Sequence, residues 1–471
     1  MRLLVISADN PFTGRSGVSM YCRGLLPALV DRGIELGALC VEHRDWRLRA
    51  YVRSTRVNGV TLFSVVNSPL FADNSILQPG QDCHQATLER LVGSCLQHFQ
   101  PDLVHIQTLQ GYPASIISLA SDRGIPTVVT LHDFWVLCPR MALVRLNEQV
   151  CDGPGGGHHC VQFCVRQPSW RQRLYRFGRR LPEGRLLNAF LASRAWYRRS
   201  ARRTGTIWTP VPDRAADIAA PAVAAHARRL AFLVGALADA DRRLAVSEFV
   251  RSTFVRHGLR REAIDTLPPA LELEGIAWRQ RRIGDAPLRF GFLGRAVPMK
   301  GVQIFARAVR DLGPQRAEFH VFGDATPDAR RYLQDLAGQA ALAFHGSYTR
   351  RELGAILDGL DVVVLPSIVP ETVGLVSLEA QAAGVPVIGS RLGAIPEQIR
   401  DGQNGLLFAP GDPDDLRRKM RLVIETPSLV AALSARTSPP STLRAHVDAL
   451  LDIYTATLEK GRDATWIAST A

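Results

Sequence analysis

The chain has 471 residues, long enough for two or three domains. Its 46% apolar fraction and mean hydropathy of +0.00 are those of a soluble globular protein with sizeable cores. No apolar run reaches the length of a membrane span, the best (residues 230–238) being far too short, and the net charge of +13 is gathered unevenly.

Residues 1–7, MRLLVIS, read as a first strand and not as a secretory leader, because the apolar run is short and turns polar at once. The glycine loop 14–17 then opens a helical pattern through Met20, Leu25, Leu26 and Leu29. A glycine at such a helix start, here Gly17, lets backbone approach a phosphate. Residues 101–107 and 126–133 are two further buried strands that end in polar residues. His132, at the carboxyl end of the second, is placed for a ligand, with a solvated or structurally bonded histidine as the alternative. His105 reads as structural or acceptor-side.

Four of the eight cysteines, Cys138, Cys151, Cys160 and Cys164, lie close together around a segment too glycine-rich to pack by burial. Such a loop needs a staple. Zinc held by the four thiolates, or by three of them with His158 or His159, is the first expectation. A disulfide or redox pair and free thiols are the alternatives, and nothing in the sequence suggests the export that disulfides favour. Cys22, Cys40, Cys83 and Cys95 are scattered among apolar residues and read as core.

Between 166 and 203, twelve arginines face only Glu183, interleaved with Trp170, Tyr175, Phe177, Phe190 and Trp196. That mixture suits an amphipathic helix on an anionic membrane surface. It also suits a polyanion-binding surface, or an ordinary solvated helical face with its apolar side in the core. Residues 207–243 are rich in alanine and proline and read as an insertion of surface loop and helix. Residues 244–251 return to strand and helix, with Ser247 as N-cap, and an interdomain linker starts near 266–271.

The second half carries the chemistry. Residues 288–301 are a strand running through Gly294 into a turn with Arg295 and Lys300, two cations suited to a diphosphate. A random basic loop is the alternative. Residues 361–365 and 385–388 are buried β-branched strands flanking PETVGLVSLEAQAAG, which reads as a loop entering a short helix. The helix start near Gly374 and Leu375 aims positive dipole at an anion, and Glu371 and Glu379 suit sugar or ribose hydroxyls. The spacing alone also fits a helix with two solvated glutamates. Residues 443–458 form a last amphipathic pattern through Leu443, Val447, Leu450, Leu451 and Tyr454.

The run from Pro370 to Ser390 resembles the E-x7-E signature of family 4 retaining GT-B glycosyltransferases, and residues 400–408 resemble the segment that follows it. Residues 294–301 are similar to the GR....KG element of that family, residues 132–140 to its HDFW-x2-CPR form, and residues 244–249 to the element closing its first domain. The likeness is strong over 288–410 and patchy over 1–30, 101–140 and 244–272. Two departures stand out: Val373 where many members have an aromatic residue, and Ala325 where they often have a second glycine.

The resemblance implies an α/β GT-B fold, two doubly wound Rossmann-like domains facing a cleft. The expected divisions are 1–272 on the acceptor side, with the cysteine loop 138–164 and basic insertion 166–243, then 273–440 for the nucleotide sugar, and a terminal helix, 441–471, crossing back. It implies that Glu371 holds the transferred sugar, Glu379 the ribose, Arg295 and Lys300 the leaving diphosphate, and that His132 touches the donor sugar. Gly17, Gly294, Gly323, Thr372, Val373, Gly374 and Leu375 complete the expected donor site. The implied reaction moves a sugar from a nucleoside diphosphate to the hydroxyl of a glycan or lipid-linked glycan, with retention and without a cofactor. A cytoplasmic enzyme of cell-envelope polysaccharide synthesis, peripheral on the membrane's inner face, is expected, and nucleic acid is not expected as a partner. A nucleotide-sugar epimerase or phosphorylase on the same fold is one alternative. A non-catalytic basic protein binding polyanions or membranes is the other.

Overall fold

The computed structural model describes residues 1–14, 16–42, 49–70, 79–164, 220–281, 284, 286–312 and 316–469. Two sheets organise it. The first has eight strands: β1 Arg2–Ile6, β2 Glu35–Val41, β3 Tyr51–Val57, β4 Val60–Val66, β5 Leu103–Ile106, β6 Thr127–Leu131, β7 Arg242–Ala245 and β8 Asp265–Thr266. Their order is β3-β4-β2-β1-β5-β6-β7-β8, parallel throughout except for the β3–β4 hairpin. The second has six parallel strands: β9 Leu288–Leu293, β10 Ala317–Phe322, β11 Leu342–Gly346, β12 Val362–Leu365, β13 Val387–Ser390 and β14 Gly405–Phe408. Their order is β11-β10-β9-β12-β13-β14.

Both sheets are buried on two faces, which is why their central strands read as continuous apolar runs. In β1, Leu4 and Ile6 enter one core while Leu3 and Val5 enter another, as the two-residue period of a strand requires. The first core lies under the Ala86–Phe99, Ile116–Ser121 and Ala220–Asp239 helices. The second lies under the Gly17–Val30 helix and the terminal Leu443–Ser469 helix, whose Val447, Leu450 and Tyr454 are fully buried there. The second sheet is clad in the same way, by the Val302–Ala308, Pro327–Ala337 and Pro413–Glu425 helices on one face and by Arg350–Asp358 and Leu375–Ala382 on the other. The architecture is the expected one: two doubly wound α/β domains.

One expectation is corrected. Ala220–Asp239 is no surface insertion, because Leu233 and Leu237 are 0% exposed in the first core. The arginine-rich stretch 166–203 lies outside the described residues.

The two sheets meet through specific bonds. Ser247 caps the Glu248–Arg256 helix as expected, its hydroxyl accepting from Val250 N at 3.2 Å, and it also donates to the Thr372 carbonyl of the other domain at 2.7 Å. The Glu397 carboxylate accepts from the backbone N–H groups of Glu248 and Phe249, at 2.9 and 2.6 Å, and so closes the same helix start from across the interface. Val373, Leu375 and Leu378 pack against the first domain's core.

Candidate active site

The carboxyl ends of the strands face this interface, and the expected site residues lie on the turns that leave them. β9 ends at Leu293, and Gly294 and Arg295 follow. Gly323, at the end of β10, packs its α-carbon against the Gly294 carbonyl, and an added Cβ would stand 1.8 Å from that oxygen. Its need for glycine therefore comes from backbone packing between two turns. At Gly301, in the left-handed region at φ +72, an added Cβ would stand 1.6 Å from the Pro366 carbonyl oxygen. That contact fixes Lys300, the residue before it, beside the loop leaving β12.

Lys300 Nζ donates to Glu371 Oε1 at 2.8 Å, and Ser367 Oγ donates to the same oxygen at 2.8 Å. Glu371 is clamped through its backbone too, since Gly393 lies against its N and O atoms and Ala394 N donates to its carbonyl at 2.9 Å. Thr372, Val373 and Gly374 lead from it into the Leu375–Ala382 helix, with Gly374 as a left-handed N-cap. Glu379 lies on that helix, 5% exposed, and Arg350 donates to it. Burial pushes the Glu379 carboxyl up, and the Arg350 guanidinium pulls it back down. The other arm of Arg350 reaches the Glu272 carbonyl in the linker between the domains.

Beside Glu379, the half-buried Tyr348 borders a cavity of about 460 Å³ between β10, β11 and the Arg350–Asp358 helix. Phe322 and His345 stack there with centroids 4.3 Å apart and planes 10° off parallel. From the first domain, Gly17 faces Leu375, whose Cδ1 is 4.0 Å from where a Cβ would stand. The loop before it is tied by Ser16 Oγ donating to Asp9 at 2.9 Å.

His132 follows β6 and is half-buried. Its Nε2 is 2.8 Å from Gln107 Oε1, and its ring lies 5.0 Å from that of Tyr21. Burial, with His446 nearby, pushes its pKa down to about 3. His105 is 0% exposed and bridges Tyr454 OH and Thr130 Oγ1 at 2.6 and 2.7 Å, so of its two expected roles it fills the structural one.

Of the residues expected from the sequence, the structure brings Lys300 onto Glu371 and leaves Arg295 exposed on the turn after β9. Arg350, Ser367, Gln107 and Tyr21, which contact Glu379, Glu371 and His132, were not singled out from the sequence. Arg350 opens a helix with a Thr349–Glu352 capping box, and nothing in that local pattern announces a partner 29 residues away.

None of the four grouped cysteines is paired in a disulfide. Cys138, Cys151 and Cys160 are buried, and the group lies close enough that Cys138, Cys151 and Cys164 all help burial raise the Cys160 thiol to about 12. The backbone N–H groups of Arg140, Ala142 and Leu143 point at the Cys138 sulfur. Among the described residues, no set of three His, Cys, Asp or Glu side chains stands close enough together to hold a metal ion. No chemical step is derived through one.

Comparison with known proteins agrees with this architecture. Residues 15–203 match the model of Glycosyltransferase Family 4, and residues 287–426 match that of Glycosyl transferases group 1. The chain belongs to this family and has the GT-B fold. It is 35% identical to the D-inositol 3-phosphate glycosyltransferase of Stackebrandtia nassauensis over 164 residues, 31% of this chain and 37% of that protein. It is 32% identical to the Streptomyces bingchenggensis protein of the same name over 225 residues, 43% and 49% of the two chains. The matched segments thus span half or less of these relatives' length. Among solved structures, Anabaena Alr3699/HepE in complex with UDP and glucose superposes with a TM-score of 0.60 at 16% identity, over 97% of this chain and 99% of that one. Sucrose-phosphate synthase from Thermosynechococcus elongatus does so with 0.60 at 15%, over the full length of both chains.

Proposed function

We propose that this glycosyltransferase moves a sugar from a nucleoside diphosphate to a hydroxyl with retention of anomeric configuration. One observation carries the reading: two carboxylates, Glu371 and Glu379, are each held by a cation, Lys300 and Arg350, on the turns and helices that follow the strands of one parallel sheet. Ligands of open parallel sheets bind at such ends. Glu371 accepts from hydroxyls of the transferred sugar, and Glu379 from those of the ribose. Arg295 and Lys300 take up charge developing on the departing diphosphate, with the diphosphate competing against Glu371 for Lys300. No protein nucleophile is assigned. Glu371, tied to Lys300 and Ser367, positions the sugar and is not one of a hydrolase's paired acids. The acceptor attacks from the face the diphosphate leaves, and the leaving phosphate takes the acceptor's proton.

The cavity beside Tyr348 supports a nucleobase there, stacked near Phe322 and His345. Uridine is the first base to test, because Alr3699/HepE also has a structure in complex with UDP-glucose. A phosphorylated polyol joins lipid-linked glycans as a test acceptor, after the names of the sequence relatives. A place in cell-envelope synthesis at the inner membrane face rests on the arginine-rich segment and on family tendency. No described helix is long and apolar enough to cross a membrane.

A panel of UDP-, GDP- and ADP-sugars tests the reading by released diphosphate and by the anomer formed. One donor is expected to turn over slowly without acceptor, and Glu379→Ala is expected to raise its KM about tenfold or more, as loss of a charged hydrogen bond does. Inverted product would refute retention. Free sugar epimer, or dependence on inorganic phosphate, would instead point to an epimerase or phosphorylase. Salt-sensitive polyanion binding with no donor affinity would leave the non-catalytic reading.

Zinc on Cys138, Cys151, Cys160 and Cys164 is proposed as a staple for the glycine loop from the pattern of these cysteines in the sequence, and binding it would require them to draw closer than they stand here. Elemental analysis should find about one equivalent per chain, lost in Cys160→Ser. Metal-free protein with all eight thiols titrating in denaturant would remove zinc from the account.

A further inference from the structure

We propose that Gln107 is a positioning residue that fixes the tautomer of His132, and that the terminal helix holds Gln107's neighbour His105 in place to let it do so. The inference rests on the reading of His132 as a contact of the donor sugar.

Gln107 stands just past the end of β5 and is 0% exposed. Its amide spans the two histidines. Nε2 lies 3.2 Å from both ring nitrogens of His105, and Oε1 lies 2.8 Å from His132 Nε2. Both His105 nitrogens are already engaged by hydroxyls, Tyr454 OH at 2.6 Å and Thr130 Oγ1 at 2.7 Å. The amide NH2 is therefore the end that suits the electron-rich imidazole, and the carbonyl is the end left for His132. An amide oxygen only accepts, so the His132 proton sits on Nε2. A neutral imidazole has one N–H, which leaves Nδ1 as an acceptor for a sugar hydroxyl.

His132 is neutral at working pH, since burial holds it at about 3, and the same holds for His105 at about 3 and His446 at about 4. The other ionisable groups around it come from every neighbouring element. The Gly17–Val30 helix brings Tyr21 and Cys22, both raised by burial, and Asp133 follows His132 itself. The terminal helix brings His446 and Tyr454. That helix reaches His132 by two routes. Tyr454 acts through His105 and Gln107, and His446 bonds Tyr21 OH at 2.7 Å, whose ring lies beside His132. A residue near the end of the chain thus orders one in the first domain's interior.

The test compares wild type, His132→Ala, Gln107→Leu, Gln107→Glu and Tyr454→Phe by donor turnover from pH 5 to 8, with melting curves as a fold control. Gln107→Leu is expected to lose about tenfold in turnover at unchanged substrate saturation, the worth of one substrate hydrogen bond. Gln107→Glu keeps the accepting oxygen but adds charge that favours the imidazolium. It should match wild type within about threefold at pH 8 and fall off below a new ionisation that wild type lacks. In the unmodified enzyme, ¹⁵N shifts of the His132 ring should report protonated Nε2. A proton on Nδ1 overturns the proposal, as do Gln107 variants with wild-type rates and pH profiles while His132→Ala is impaired. If His132→Ala itself turns donor over normally, the underlying reading of His132 fails and takes this inference with it.

Discussion

Arg295→Ala and Lys300→Ala are each expected to lower nucleoside-diphosphate release from the preferred donor by about 10²–10³-fold, the scale on which removal of one preorganised oxyanion partner is felt. Arg295 is exposed and makes no ion pair among the described residues, so its loss costs the fold little and the effect reads as chemistry. Lys300 is bonded to Glu371, yet Glu371 keeps its bond from Ser367 when Lys300 is gone. Both cations act on charge that grows as the bond to the diphosphate breaks. Turnover should therefore fall more than donor KM rises. The double variant should lose less than the product of the two, because both cations act as a unit on the same developing charge. Lys300→Arg separates charge from shape: a planar fork does not replace a compact ammonium on a turn fixed by Gly301 against Pro366. If either alanine variant turns over within about threefold of wild type, electrostatic stabilisation of the leaving group by that residue is wrong.

What the sequence made legible were places where backbone and chemistry constrain one another. Gly301 precedes a helix and follows Lys300, and its contact with Pro366 explains why a glycine is spelled beside that cation. Glu371 is similarly framed by Gly393, where an added Cβ would stand 2.5 Å from its N and O atoms. Ser247 reads as an N-cap from three letters of context, and it is one. Partners far apart in sequence left no such trace. Tyr454 and His105 are separated by 349 residues, and the periodic pattern of the terminal helix announces a buried face without saying what it meets. Alanine misled over 220–239, since a small side chain is as much at home in close helix packing as on a surface, and the buried Leu233 and Leu237 show the packing. For the cysteines the letters gave grouping, which the fold shares, but spacing alone carries no angle between sulfurs.

Asp82→Ala is expected to destabilise the first domain by about 3–5 kcal/mol, a fall in melting temperature of roughly 10 °C for a domain of this size. Asp82 and Arg229 are 3% and 2% exposed, and the guanidinium forks onto both carboxylate oxygens at 2.7–3.1 Å. Its remaining N–H groups go to the Trp135 and Val136 carbonyls at 2.7 and 3.3 Å. One buried cation thus ties the Ala220–Asp239 helix to the turn at Asp82 and to the loop three residues beyond His132. Removing Asp82 leaves that charge uncompensated in a dry place. Removing Arg229 strands the carboxylate and frees two carbonyls as well, so Arg229→Ala should be at least as damaging. Replacing the pair together, as Asp82→Leu with Arg229→Met, should return much of the loss, because two desolvation costs disappear with the attraction they opposed. Catalysis should not return with it. The double variant restores packing but not the hydrogen bonds that hold the loop after His132, so donor turnover stays lowered while the melting temperature recovers. Calorimetry resolving the first domain's transition, run beside the donor assay, checks both halves. Equal recovery of stability and turnover would mean that the ion pair only fills space.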